Sequence, residues 1–142
     1  MASEDGKIIT FNSISDPFQN HHYSEFHLLA FRVNDNHKVE LIANFPGYLN
    51  YLAVSAHDRV LRISANNRYI LGIKAFPLPN TSTNALDIIE QCVRYDLKTK
   101  KIDIVSEAKS GSMKNTSTRF GDISGDGRYV AFDDANGRLF LK

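Results

Sequence analysis

Acidic and hydroxyl side chains occur at calcium-ligand spacing in segment 122–133. Asp122, Ser124 and Asp126 occupy the first, third and fifth places of an EF-hand loop. Gly127 and Asp133 occupy the sixth and twelfth places. An EF-hand loop requires flanking helices, whereas the flanking residues here have the pattern of strands. We therefore predict a hairpin turn in this segment, with a calcium site as the alternative.

Three histidines, His21, His22 and His27, lie close together in the sequence, beside Tyr23 and Glu25. A metal site needs ligands that converge on one point, and no second group of ligands occurs at a matching spacing. We expect solvated loop histidines here, so no metal ligand is predicted from this cluster.

Cys92 is the single cysteine of the chain and therefore the candidate thiol nucleophile. Its neighbours in segment 91–95 have a strand pattern, which predicts a packed and inert thiol. The chain has no Gly-x-Ser-x-Gly elbow. The adjacent carboxylates Asp133 and Asp134 would point to opposite faces of a strand. We predict no catalytic residue and no cofactor site.

Strands must position these side chains, because helical periodicity is weak along the chain. Short runs rich in β-branched and aromatic residues alternate with Asn, Asp, Gly and Lys, which is typical of an all-β protein. The predicted strands include residues 7–11, 27–33, 38–42, 68–73, 92–95, 101–105 and 128–132.

A serine-led motif recurs three times at an almost constant interval. It begins at Ser3, Ser64 and Ser124, so its copies start 61 and 60 residues apart. Each copy continues with one variable residue, a two-residue turn, a basic residue and a hydrophobic strand. The turn pairs Asp-Gly and Asn-Asn tolerate positive φ, which predicts a tight type I′ hairpin at each copy. The constant interval indicates an internal repeat.

A second hairpin follows in the first two repeats, within residues 28–42 and 92–105, and gives four antiparallel strands per repeat. The third repeat reaches residues 138–142 without a fourth strand. We expect one repeat region with repeats at about 1–58, 59–118 and 119–142. Four-stranded units bury their faces by stacking, and radial stacking gives a propeller. Aromatic residues at corresponding strand positions predict packing between the units: Phe11, Phe31, Tyr69, Tyr95, Phe132 and Phe140.

The third repeat carries the motif Ile-Ser-Gly-Asp-Gly-Arg-Tyr-Val-Ala-Phe at 123–132. This motif resembles the Ser-Pro-Asp-Gly-(Lys/Arg) signature of TolB-like, WD-repeat-like propellers. Residues 93–106 are similar to the outer hairpin of that family, with its Asp-Leu-x-Thr-Gly turn. The middle repeat departs from the pattern, with Asn66-Asn67 in place of Asp-Gly. The resemblance implies propeller blades and is almost silent on function, because this fold hosts many functions.

The predicted architecture is an incomplete β-propeller with about three four-stranded blades, the last of them shortened. Closed propellers have 4–8 blades. Three interpretations remain open: a piece of a longer protein, a chain that pairs with copies of itself to complete a ring, or a short open stack. Some cover for exposed sheet edges is expected in each case.

The composition limits the partners. The formal net charge is +1, which argues against a dedicated nucleic-acid binder. The longest apolar runs are only a few residues, so no membrane insertion is expected. The N-terminus lacks the pattern of a secretory signal, and the compartment stays open.

The favoured function is a non-catalytic module for protein interaction or scaffolding, with a protein partner or self-association. Phe45, Tyr48 and Tyr51, in and beside an apparent linker, are the candidate partner contacts. The alternative is a truncated propeller segment of a larger enzyme, associated with a peptidase or glycan hydrolase, whose catalytic residues lie elsewhere.

Overall fold

The computed structural model describes residues 1–13, 27–46, 59–77, 88–106, 117–134 and 136–142. Every regular element in these ranges is a β-strand, so the predicted all-β class is confirmed. The strands are β1 Ile8–Ser13, β2 His27–Val33, β3 Val39–Pro46, β4 Arg59–Ile63, β5 Tyr69–Pro77, β6 Ile88–Asp96, β7 Ile102–Ile104, β8 Gly121–Ile123, β9 Val130–Asp133 and β10 Leu139–Leu141. No helix long and apolar enough to cross a membrane occurs in the part of the chain that is described.

The strands form three antiparallel sheets, and none of the three closes on itself. The first sheet has the order β1-β2-β3, with Ala2 bridged to Ile9 beside β1. The middle sheet has the order β4-β5-β6-β7, and the third has the order β10-β9-β8. Each strand pairs with its neighbour in the sequence. The middle sheet therefore has the four predicted strands, and the third sheet has three, as predicted. The prediction of four strands in the first repeat is wrong for the described residues, because its sheet has three strands and the isolated bridge of Ala2.

The three serine-led turns share one set of hydrogen bonds. In the first, the Ser3 hydroxyl donates to the Asp5 carboxylate at 2.8 Å and accepts the backbone N–H of Ile8 at 2.9 Å. The Asp5 carboxylate also accepts the N–H of Lys7 at 3.0 Å. The same three bonds occur in the turns that begin at Ser64 and Ser124.

The prediction of type I′ turns is wrong. A type I′ turn needs positive φ at both of its central residues, whereas each serine-led turn has a single residue with positive φ. These residues are Gly6, Asn67 and Gly127. The side-chain bonds of the serine and of the Asp or Asn two positions later stabilise a longer loop, in which the preceding residue keeps negative φ.

The middle sheet is buried on both faces, because the other two sheets pack against it. The first core joins Ile8, Leu28, Ala30, Ala43 and Phe45 of the first sheet to Ile63, Ile70, Val93, Tyr95 and Leu97 of the middle part. The second core joins Leu71, Ile73, Cys92 and Val105 to Ile123, Val130 and Phe132 of the third sheet. Side chains alternate along a strand, so Ile70 faces the first sheet while Leu71 and Ile73 face the third.

The sheets stack by one rule. We call the face of the middle sheet that bears Ile70 its front face. In the first and third sheets, the front face is the one that bears Ile9 or Val130, the residues at the same repeat position. The opposite face of each sheet is its back face. The back face of the first sheet packs on the front face of the middle sheet, and the back face of the middle sheet packs on the front face of the third. The front face of the first sheet and the back face of the third sheet are therefore the outer faces of the stack.

Candidate functional site

The predicted partner contacts are only partly within the described ranges. Phe45 lies in β3, is 4% exposed, and its ring centroid is 4.6 Å from that of Tyr95 in the first core. Tyr48 and Tyr51 lie outside the described residues. The contact patch of Phe45, Tyr48 and Tyr51 stays a prediction.

The carboxylates at calcium-ligand spacing are engaged in three separate places. Asp122 pairs with Arg62 of β4, with Oδ1 and Nε 3.0 Å apart. Asp126 accepts the Ser124 hydroxyl at 2.7 Å within its turn. Asp133 accepts the backbone N–H of Phe120 at 2.8 Å. Among the described residues, no group of three or more His, Cys, Asp and Glu side chains is arranged to hold a metal ion.

The thiol of Cys92 lies in the second core and is completely buried. Burial, assisted by the negative charge of Asp133, raises the pKa of this thiol to about 12. Because the thiolate is the nucleophilic form, a thiol with this pKa is unreactive near neutral pH. Of the predicted loop histidines, His21 and His22 lie outside the described residues, and His27 begins β2.

The front face of the first sheet is apolar and partly open, since Leu29, which pairs with Phe11 on this face, is only 2% exposed. Ile9, Phe31 and Leu41 are paired across the three strands, so their side chains lie in one row on this face. Phe11, two residues beyond Ile9, packs on Phe31 with ring centroids 5.0 Å apart and is still 49% exposed. Val39 extends the same face and is also exposed.

The back face of the third sheet is also open, and it is apolar apart from Asp122, which pairs with Ala131 in the same row. Ala131 pairs with Leu141, and Leu139 lies two residues before Leu141 on the same face. Leu139 is 81% exposed and Leu141 is 73% exposed. Tyr129 lies two residues before Ala131 and is exposed as well. The opposite side of this sheet is buried, and there Phe132 stacks on Phe140 at 5.4 Å.

We call the end of the sheets where the serine-led turns lie the turn end, and the boundary between two adjacent sheets a seam. At the turn end, hydrogen bonds between the turns join the sheets across both seams. Asn67 of the middle sheet donates its side-chain N–H to the Asp5 carboxylate of the first sheet at 2.7 Å. Asn66 donates its backbone N–H to the carbonyl of Gly125 and its side-chain N–H to the carbonyl of Asp126, both at 3.0 Å. A polar cleft of about 350 Å³ opens beside Asn67 at the first seam.

The ring of Tyr69 in the middle sheet forms a further contact with the turn of the third sheet. The guanidinium groups of Arg68 and Arg94 lie 4.8 and 5.0 Å from the ring centroid. Arg94 donates to the carbonyl of Gly127 at 2.8 Å, which brings the third turn against the ring. A Cβ atom on Gly127 would lie 2.0 Å from Cδ2 of Tyr69. The approach of the two sheets at this point therefore requires glycine.

The outer faces are the feature that sequence reasoning missed. It assigned all six strand aromatics to packing between units, which fits Tyr69, Tyr95, Phe132 and Phe140. Phe11 and Phe31 instead lie on an outer face. The missing signal was the register of each repeat, since Ile9 and Phe11 occupy the places of Ile70 and Gly72, which face the preceding sheet.

Scans of the chain against protein-family models and against curated proteins found no match.

Proposed function

We propose that the chain is a non-catalytic, β-propeller-type module that works in protein interaction or scaffolding, and that its two outer faces each receive a further β-sheet. The observation that carries this proposal is the contrast between buried and open faces. Four sheet faces are packed in two cores, whereas the outer faces expose large apolar side chains such as Phe11 and Leu139. Contiguous exposed apolar surface marks interaction sites in soluble proteins.

The stacking supports the propeller-type architecture. Every sheet is an antiparallel meander, and the first and middle sheets each pack their back face on the front face of the next sheet. Close backbone approaches between different sheets involve the strands near the serine-led turns, in the pairs β1 with β4, β4 with β8 and β5 with β8. Sheets that approach along the same inner strands fan out around those strands, which is the arrangement of propeller blades.

The chemistry of the described side chains supports a non-catalytic role. The thiol of Cys92 is buried and has a raised pKa. The carboxylates of Asp96, Asp126 and Asp134 accept hydrogen bonds from backbone N–H groups of their own turns. These groups stabilise local structure, and general acid–base work would need a carboxyl group within reach of a substrate.

A photo-crosslinking experiment tests the proposal. The crosslinking amino acid benzoylphenylalanine is placed at Phe11 or at Leu139 in cells that make the protein, and the crosslinked peptides are identified by mass spectrometry. Ile102 of β7 serves as the control position, because it is 37% exposed but lies on neither outer face. We expect crosslinks at positions 11 and 139 to a peptide of alternating apolar and polar residues, and few at position 102.

Two results would contradict the proposal. The first is the absence of crosslinked protein at positions 11 and 139. The second is an equal yield at all three positions, because random collisions and not docking would then explain the crosslinks.

A further inference from the structure

We propose that the occupant of the outer faces is a second copy of this chain, in a closed head-to-tail dimer. The back face of the third sheet of each copy packs on the front face of the first sheet of the other. This inference rests on the proposed function and adds the identity of the partner and the register of the interface.

The two outer faces are the unmatched halves of an interface that the chain already forms twice. By the repeat interval, Ile9 corresponds to Ile70 and Val130, which both lie on front faces in the two cores. On the opposite side, Ala131 corresponds to Leu71, which lies on a packed back face. Docking the third sheet of one copy on the first sheet of another therefore continues the same stacking.

A head-to-tail interface uses two different patches, so it either closes into a ring or propagates without end. Two copies would supply six sheets, and six lies within the range of 4–8 blades that closed propellers have. Closure by two copies would cover every outer face, which removes the exposed apolar surface described above.

The register places one polar contact that can be tested. At the seam between the middle and third sheets, the amide of Asn66 donates to the carbonyl of Asp126. Counting along the repeats, Asp126 takes the place of Asn66 in the new seam, and Asp5 of the other copy takes the place of Asp126. A carboxylate at position 126 has no N–H to donate and would place its negative charge beside the backbone carbonyl oxygen of Asp5. The interface between two native chains therefore lacks one hydrogen bond that an amide at position 126 would make.

The variant Asp126→Asn is expected to tighten the dimer. Asn66 shows that an amide fits this turn, because its Oδ1 accepts both the Ser64 hydroxyl and the backbone N–H of Arg68. The variant adds a donor and removes a negative charge beside a carbonyl oxygen, so we expect the dissociation constant to fall by about three- to tenfold. An unchanged or larger dissociation constant would show that the register is wrong.

Light scattering on purified protein across a concentration series tests the dimer itself. We expect the wild-type chain to approach twice its mass of 16.0 kDa. Phe11→Glu disables the front face of the first sheet, and Leu139→Glu disables the back face of the third. Each variant alone is expected to dissociate at least about tenfold more readily, since a carboxylate then replaces a large apolar side chain in the buried interface. Ile102→Glu is the matched control and should behave as the wild type.

Mixing the two face variants distinguishes the head-to-tail arrangement from the alternatives. Phe11→Glu retains an intact back face and Leu139→Glu retains an intact front face, so the mixture should form one interface per pair. Association of either variant alone at wild-type strength would indicate a face-to-same-face dimer and overturn the proposal. A wild-type mass that stays at one chain, or that grows without limit, would also overturn it. A folded monomer that still crosslinks at positions 11 and 139 to a different, identified protein would leave the proposed function intact.

Discussion

The contact between the ring of Tyr69 and the backbone of Gly127 requires glycine at position 127. Two guanidinium groups flank the ring, and the backbone of Gly127 lies directly against it. The Asp-Gly pair at 126–127 predicted a turn from sequence. The reason for glycine at 127 could not be predicted, because the contact with Tyr69 joins residues from two sheets. From sequence, Gly127 was explained by the backbone freedom of a turn or by the sixth place of a calcium loop.

Gly127→Ala is expected to destabilise the protein by about 2–4 kcal/mol. The residue has φ of +75°, which is costly for alanine by about 1–2 kcal/mol, and the new methyl group would clash with Tyr69. Gly6→Ala is the matched control. Its φ is +70°, and no atom outside Gly6 and its two chain neighbours lies within 4 Å of the position of its Cβ. Urea denaturation of both variants measures the difference, and equal losses of stability would show that the contact with Tyr69 contributes nothing.

At the scale of the element, an ion pair ties two turns of the middle sheet together. Arg68 follows the serine-led turn before β5, and Asp96 ends β6. Their side chains are 2.9 Å apart, and Asp96 also accepts the backbone N–H of Lys98 at 2.9 Å. The bond from Arg68, assisted by the backbone donors, holds the pKa of Asp96 well below its usual value of 3.8.

Asp96→Asn is expected to cost about 1–2 kcal/mol at pH 7 and much less in acid. A carboxylate whose folded-state pKa is lowered stabilises the protein fully above its unfolded-state pKa of 3.8. That stabilisation is lost as the pH falls from there through the folded-state pKa. Thermal unfolding of the variant and the wild type from pH 7 to pH 2 measures the change.

Asp122→Asn is the control for this prediction, because its pair with Arg62 is about 60% exposed on both sides. Exposed ion pairs contribute little, so we expect a change below about 0.5 kcal/mol. A difference between Asp96→Asn and the wild type that stays constant down to pH 2 would contradict the assignment to the charged pair.

Strand positions were the easiest part to predict from sequence. The run Tyr-Ile-Leu-Gly-Ile at 69–73 predicted a strand, and β5 begins at Tyr69. Polar and apolar residues do not alternate in this run, because the side chains on both faces of β5 are buried in a core. The prediction of type I′ turns was wrong for a local reason. The serine and the Asp or Asn side chains accept hydrogen bonds from backbone N–H groups of the loop, and the two turn residues alone do not indicate these bonds.

At the scale of the whole molecule, the middle sheet holds the other two in place. Neither outer sheet contacts a second core among the described residues, whereas the middle sheet belongs to both. Repeat spacing could predict that sheets stack, but it could not predict which faces would be left open. That depends on the order of front and back faces, which only the three-dimensional arrangement gives.

Hydrogen exchange followed by mass spectrometry is expected to show the slowest exchange in β5 and β6. Both strands have neighbours on either side within their sheet and are covered on both faces. Amides there exchange by large-scale opening, while β10, which is an edge strand with an open face, exchanges by local opening. We expect a difference of at least about tenfold, and equal protection of β6 and β10 would contradict this picture.

The placement of the serine-led turns at one end of the sheets has a consequence for how such a protein changes over evolutionary time. Residues 13 and 27, 46 and 59, and 77 and 88 mark strand ends at the opposite end. Lengthening a connection between fixed strand ends costs little, about 0.6 kcal/mol for each doubling of its length. Insertions and deletions at this end can therefore accumulate while the turn end stays constant, so that descendants with the same stack would differ chiefly at one pole of the molecule.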